Sequence, residues 1–214
     1  MSKVGRLWLV LLLNLLLVAA LVVVGLAAHS LGVLAAGVDY LADAAAIGVS
    51  LLAIRLSRRV VGQGGARYRN ATDIAALVNA GWLLALNIGV VAAAIRRLLS
   101  GSPEVHGLPV LIVSAVAAAV MVIGSLVLGG DLDDGEGGED FNIKAVLLDT
   151  AADAAAAAGV AATGAVITIT GGWYWLDPMV ALVIATVFGY HAAVLIWRVL
   201  TALRTPVSRT RDDG

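Results

Sequence analysis

Asp39-Tyr40-Leu41-Ala42-Asp43-Ala44-Ala45-Ala46 is echoed more than a hundred residues later by Asp149-Thr150-Ala151-Ala152-Asp153-Ala154-Ala155-Ala156, each inside a long apolar run. An α-helix turns once every ~3.6 residues, so a spacing of four stacks both carboxylates of a pair on one face, one turn apart. Each pair can hold a common ligand. At membrane depth an ionisable side chain costs at least about 2.5–3.5 kcal/mol on insertion scales, so four of them need a compensating role. The chemistry that fits is a divalent metal site made by Asp39, Asp43, Asp149 and Asp153. A structural reading, in which each carboxyl is neutral and hydrogen-bonds a neighbouring helix, accounts for one such residue more readily than for two matched pairs.

Composition places these runs in a bilayer. With 61% hydrophobic residues, 14% charged residues and a mean hydropathy of +0.97, 214 residues carry more apolar surface than one soluble core can hide. The absence of cysteine excludes disulfides and thiolate ligands. The net charge of -1 gives no reason to expect a nucleic-acid partner. The run over 7–28 is long enough to span and lacks a small polar cleavage region, so it reads as a retained first helix and not a signal peptide.

Six segments qualify as spanning helices: 7–28, 31–54, 73–95, 109–128, 143–170 and 177–199. The expected fold is an all-α membrane protein. Lys3, Arg6, Arg55, Arg58, Arg59, Arg67, Arg69, Lys144, Arg198, Arg204, Arg209 and Arg211 fall on one side, and Arg96 and Arg97 on the other. By the positive-inside rule both termini are cytoplasmic. Trp173, Tyr174 and Trp175 fit an outer aromatic belt. Asp177-Pro178 reads as a helix N-cap followed by proline at the first helical position.

In this topology the second helix runs inward and the fifth outward. At about 1.5 Å per residue through about 30 Å of hydrocarbon, Asp43 and Asp153 each fall roughly 13–14 Å from the cytoplasmic face and meet near the midplane. Asp39 then lies above that level and Asp149 below it, so antiparallel packing gathers all four. Gly32, Ala36, Ala46 and Ser50 share the aspartate face of the second helix, and Ala145, Ala156, Gly159 and Thr163 lie on or near that of the fifth, as close approach requires. Asn14, Asn79 and Asn87 read as interhelical hydrogen-bonders. His29 and His106 fall in outer loops and His191 toward the inner part of the last helix, away from the aspartates.

The run from His29-Ser30-Leu31-Gly32 into Asp39 and Asp43, then Leu51 to Arg59, resembles the second helix of the cation diffusion facilitators. Ala75 to Ala80, Ile95-Arg96-Arg97-Leu98, Pro103 to Gly107, Asn142 to Asp153 and Gly172 to Pro178 extend the likeness over all six helices. The resemblance implies a cation-efflux-type bundle and a metal/proton antiporter, not an enzyme. It further implies that Asp39, Asp43, Asp149 and Asp153 form the transport site. It implies a homodimer that exports a divalent metal ion from the cytoplasm, in a bacterial inner membrane. No resident cofactor and no catalytic residue are expected.

Three departures shape the expectation. In the zinc-exporting branch, which the flanking sequence most resembles, the first residue of a pair is commonly histidine. Here Asp39 and Asp149 make the site all-carboxylate. Zinc leads by resemblance, while an oxygen-only site suits manganese, iron(II), cobalt or cadmium as well. The family's cytoplasmic C-terminal domain has no counterpart here, leaving a transport domain over 1–205 and a short tail over 206–214. The cytoplasmic loop over 129–141, often histidine-rich in relatives, is acidic here (Asp131, Asp133, Asp134, Glu136, Glu139, Asp140) and reads first as a solvated linker.

Charge sets the expected mechanism. Four ionised carboxylates around one divalent ion leave a net charge of -2 in a low-dielectric site, so protons are shared in the empty site and exchange with metal. Two other classes compete. Phosphotransferases that use CDP-alcohols carry an aspartate pair at this spacing, but with a further Asp-Gly and a downstream Ala-Arg; here Ala44 follows Asp43 and no such arginine appears. A non-transporting helical assembly subunit is the other.

Overall fold

The structure, a computed structural model, describes residues 3–59, 65–129 and 140–204. The acidic loop between the fourth and fifth segments lies outside the described residues apart from Asp140, as does the tail after Arg204. Among the described residues there are six helices and no strand: α1 (Lys3–Ala27), α2 (Leu31–Arg59), α3 (Gly65–Ser100), α4 (Gly107–Gly129), α5 (Asp140–Thr170) and α6 (Leu176–Arg204). Each matches an expected span. The main discrepancy is α3, whose 36 residues carry it about 54 Å. Arg96 and Arg97 therefore lie in its last turns and not in a loop. Within the described residues, 77–100, 150–170 and 176–201 are apolar and long enough to cross a membrane, and 11–27 and 107–123 are shorter apolar stretches.

The α1–α2 connection shows why the chain reverses so tightly. Ser30 N–H donates to the Gly25 carbonyl at 2.9 Å and His29 N–H to that of Leu26 at 3.3 Å, the paired bonds of a Schellman motif. His29 takes the left-handed position at φ 56°, where glycine would be the ordinary choice. Gly101, at φ 93°, follows the end of α3, and Gly171, at φ 60°, follows that of α5.

Packing divides the bundle. α4 and α5 make the most extensive pair, followed by α3 with α6 and α1 with α2. The first and last of these pairs join through α1 against α4 and α2 against α5, giving a four-helix group. The α3–α6 pair attaches to it mainly through α2. Glycine decides the closest approach. A Cβ on Gly107 would sit 2.6 Å from the Gly164 carbonyl oxygen, and one on Gly164 would sit 2.6 Å from the Leu111 nitrogen. Backbones touch here, as in small-residue packing of membrane helices. Gly159, expected on such a face, instead borders open space.

Between the helices lie Leu21, Val33, Tyr40, Val110, Val160 and Ala181, all nearly inaccessible. Leu16, Ile88, Ile123, Ile169, Val183 and Trp197 point outward. That inverted distribution is the one lipid requires. The hydroxyls of Thr163, Thr168 and Thr186 donate to carbonyls four residues earlier, so polar groups are satisfied within their own helices. Asn87 does the same, donating to the Leu83 carbonyl at 3.0 Å. Its contact with a neighbour is packing against Gly189 of α6, so the expected interhelical hydrogen bond is replaced by a bond within α3.

Candidate metal site

Register decides which carboxylates share a level. Gly32 of α2 lies against Val160 of α5: a Cβ there would approach Val160 Cγ1 at 3.4 Å. The helices run in opposite directions, since Tyr40, further along α2, comes under the charge of Asp153, earlier along α5. Counting seven residues from the Gly32–Val160 contact, forward on α2 and backward on α5, reaches Asp39 and Asp153. Four more reach Asp43 and Asp149. By residue count from that contact, both aspartates of α2 and both of α5 fall in the same stretch of the α2–α5 interface.

Asp39 is 8% exposed and Asp153 6%, while Asp43 is half-buried. Asp149 belongs to α5, but its side chain lies outside the described residues. Among the described residues no group of three or more acidic, histidine or cysteine side chains is arranged to hold a metal ion. Tyr40 lies within electrostatic range of Asp39, Asp43 and Asp153. The charges of Asp153, Asp39 and Asp43 all act on the Tyr40 hydroxyl, and the Tyr40 ring, 2% exposed, is the largest fully buried side chain. Ala36 and Ala157 are buried nearby on the two helices and leave room for these groups. The side chains of Ala46, Ser50 and Ala145 lie outside the described residues.

A second polar cluster lies at the other end of α2. Asp177, fully buried, accepts hydrogen bonds from Leu31 N–H at 2.7 Å and Gly32 N–H at 3.1 Å, and from the Ser30 hydroxyl. Ser30 Oγ in turn accepts from Val33 N–H at 3.1 Å. The first three amides of α2 are all satisfied, two of them by a residue of α6. Arg97 of α3 donates to the His29 carbonyl and stands 3.7 Å from Asp177. Asp177 is thus a cap, as its sequence suggests, but for α2 and not for its own helix. Ser30 was legible as an N-cap from its type and position; the cross-helix cap left no local pattern.

The histidines stay apart from the aspartates. The rings of His29 and His106 stand 6.2 Å from each other near the start of α2, and His191 neighbours Phe188 and Tyr190 on α6. Trp173 and Trp175 are both exposed, 6.4 Å apart, in the turn before α6.

Residues 7–203 match the cation efflux transmembrane domain. The zinc transporter ZitB of Yersinia pseudotuberculosis serotype I is 31% identical over 172 residues, 80% of this chain and 52% of that protein. ZitB of Pectobacterium atrosepticum is 31% identical over 168 residues, 77% of this chain and 50% of that protein. A cadmium, cobalt and zinc/H(+)-K(+) antiporter of Bacillus velezensis is 26% identical over 171 residues, 78% and 53% of the two chains. The chain spans about half the length of the curated relatives it matches.

Proposed function

This chain belongs to the cation efflux family, the cation diffusion facilitators, and on that premise we propose that it exports a divalent metal cation from the cytoplasm in exchange for protons. Asp39, Asp43, Asp149 and Asp153 are the residues that carry the ion. What supports this reading is that two aspartate pairs with the same spacing lie on α2 and α5, which pack against each other, and that Asp39 and Asp153 are buried. Buried carboxylates without a cation repel each other and lose hydration, so protons occupy the empty site and leave when metal enters. Exchange follows from that competition.

Zinc leads by likeness to relatives named for it. The oxygen-only ligand set also admits manganese, iron(II), cobalt and cadmium. Both termini face the cytoplasm on the distribution of basic residues, in a bacterial inner membrane, with residues 1–205 as the transport domain. The acidic loop over 129–141 and the tail over 206–214 lie on the cytoplasmic side in this reading. Rocking of helices around the aspartates is the access step in this reading. A homodimer belongs to the same reading, and mass measurement in detergent tests it.

The test is metal flux into proteoliposomes holding the whole chain. Wild-type protein accumulates metal against its gradient when a pH gradient is imposed. Asp43→Ala and Asp153→Ala each abolish that flux while the purified proteins keep wild-type helicity by circular dichroism. Flux retained in both variants overturns the site.

A further inference from the structure

One buried polar atom on the aspartate-bearing stretch of α2 has no role in the carboxylate site. Tyr40 stands between the two aspartates of its own helix in sequence, about 60° around the helix from Asp43 and about 100° from Asp39. Its side chain is 2% exposed, and its hydroxyl oxygen is buried without a hydrogen-bond partner. The charges that reach it are those of Asp153 across the helix interface and of Asp39 and Asp43 on its own helix. A hydroxyl offers one donor and two acceptor positions, and a protein interior seldom leaves all of them empty. In apolar surroundings a bare hydroxyl is unfavourable, so something that enters this site completes it.

We propose that the Tyr40 hydroxyl is a fifth oxygen of the cation site and a determinant of its metal preference. This rests on the aspartates being the transport site. The chemistry favours one class of ion. Zinc is commonly satisfied by four ligands in tetrahedral array, whereas manganese takes six oxygens in octahedral array. Four carboxylates already give a divalent ion more negative charge than it neutralises. A neutral phenol oxygen raises the coordination number without adding to that excess. It therefore favours Mn²⁺ relative to Zn²⁺, with the O–H free to donate to a site carboxylate.

Tyr40→Phe removes the oxygen and keeps the ring that fills the core. The experiment compares wild type and Tyr40→Phe as full chains in proteoliposomes, with Mn²⁺ and Zn²⁺ as the probes, alongside Mn²⁺ binding read by electron paramagnetic resonance. The expected result is a fall of about tenfold in the ratio of Mn²⁺ to Zn²⁺ transport efficiency, with Mn²⁺ binding weakened by a similar factor. Wild-type helicity by circular dichroism reports that the variant is folded. An unchanged ratio overturns the proposal, whether both fluxes persist or both fall together, and so does a wild-type protein that carries Zn²⁺ but binds no Mn²⁺. Failure of the underlying reading looks different: wild type then moves neither ion, or Asp43→Ala leaves flux intact.

Discussion

Asp177 is fully buried, and it sits where three helices meet. Its carboxylate satisfies two backbone amides of α2 and the Ser30 hydroxyl, with Arg97 of α3 at 3.7 Å. Removing one member of such a cluster leaves its partners buried and unmatched, which costs more than the cluster contributes as a whole. Asp177→Ala is therefore expected to destabilise the protein by about 3–5 kcal/mol, seen as a lower unfolding temperature in detergent. Arg97→Gln should cost less, about 1 kcal/mol, because the Arg97 side chain remains 24% exposed and hydrated. Equal losses in the two variants would show that the guanidinium and not the backbone amides carries the cluster. Gly32 adds a steric constraint at the same place, since a Cβ there would lie 3.1 Å from Asp177 Oδ1.

Among the helices, α5 carries two glycines with opposite demands. Gly164 touches the backbone of α4, and any side chain there would meet Leu111 N at 2.6 Å. Gly164→Val must push α4 and α5 apart, costing about 1–3 kcal/mol or more in overpacking. Gly159 faces open space, so Gly159→Ala loses no contact and gains helix propensity, about 0.5–1 kcal/mol. Urea or SDS unfolding of the two variants should shift in opposite directions. A shift of the same sign in both would mean that α4 and α5 are not held at backbone contact.

For the whole molecule the prediction is one of sign. If protons and metal compete for the same carboxylates, lowering the pH on the cytoplasmic side weakens metal binding, and lowering it on the outer side promotes release. Metal affinity of the purified protein should therefore rise with pH until the shared protons have left. In vesicles, uphill accumulation should vanish when an ionophore collapses the pH gradient, while downhill exchange of metal persists. An affinity flat with pH would separate metal movement from proton exchange and leave the carboxylates ionised throughout. The apolar exterior formed by residues such as Leu16, Ile123 and Val183 sets the stage for this competition, because it excludes water that would otherwise screen the carboxylates.

By itself the sequence determined the number and type of helices, their membrane setting and the two aspartate pairs. Each rests on local chemistry: apolar runs long enough to span, and a spacing of four that repeats the helical turn. Tertiary structure decided what crosses between helices. It set Gly32 of α2 against Val160 of α5. It turned Asp177 from a cap of α6 into a cap of α2, and it brought Gly107 against Gly164 and the Tyr40 hydroxyl under the charge of three aspartates. Register and interhelical contact depend on how side chains of distant segments fit, and no periodicity within one segment encodes that fit.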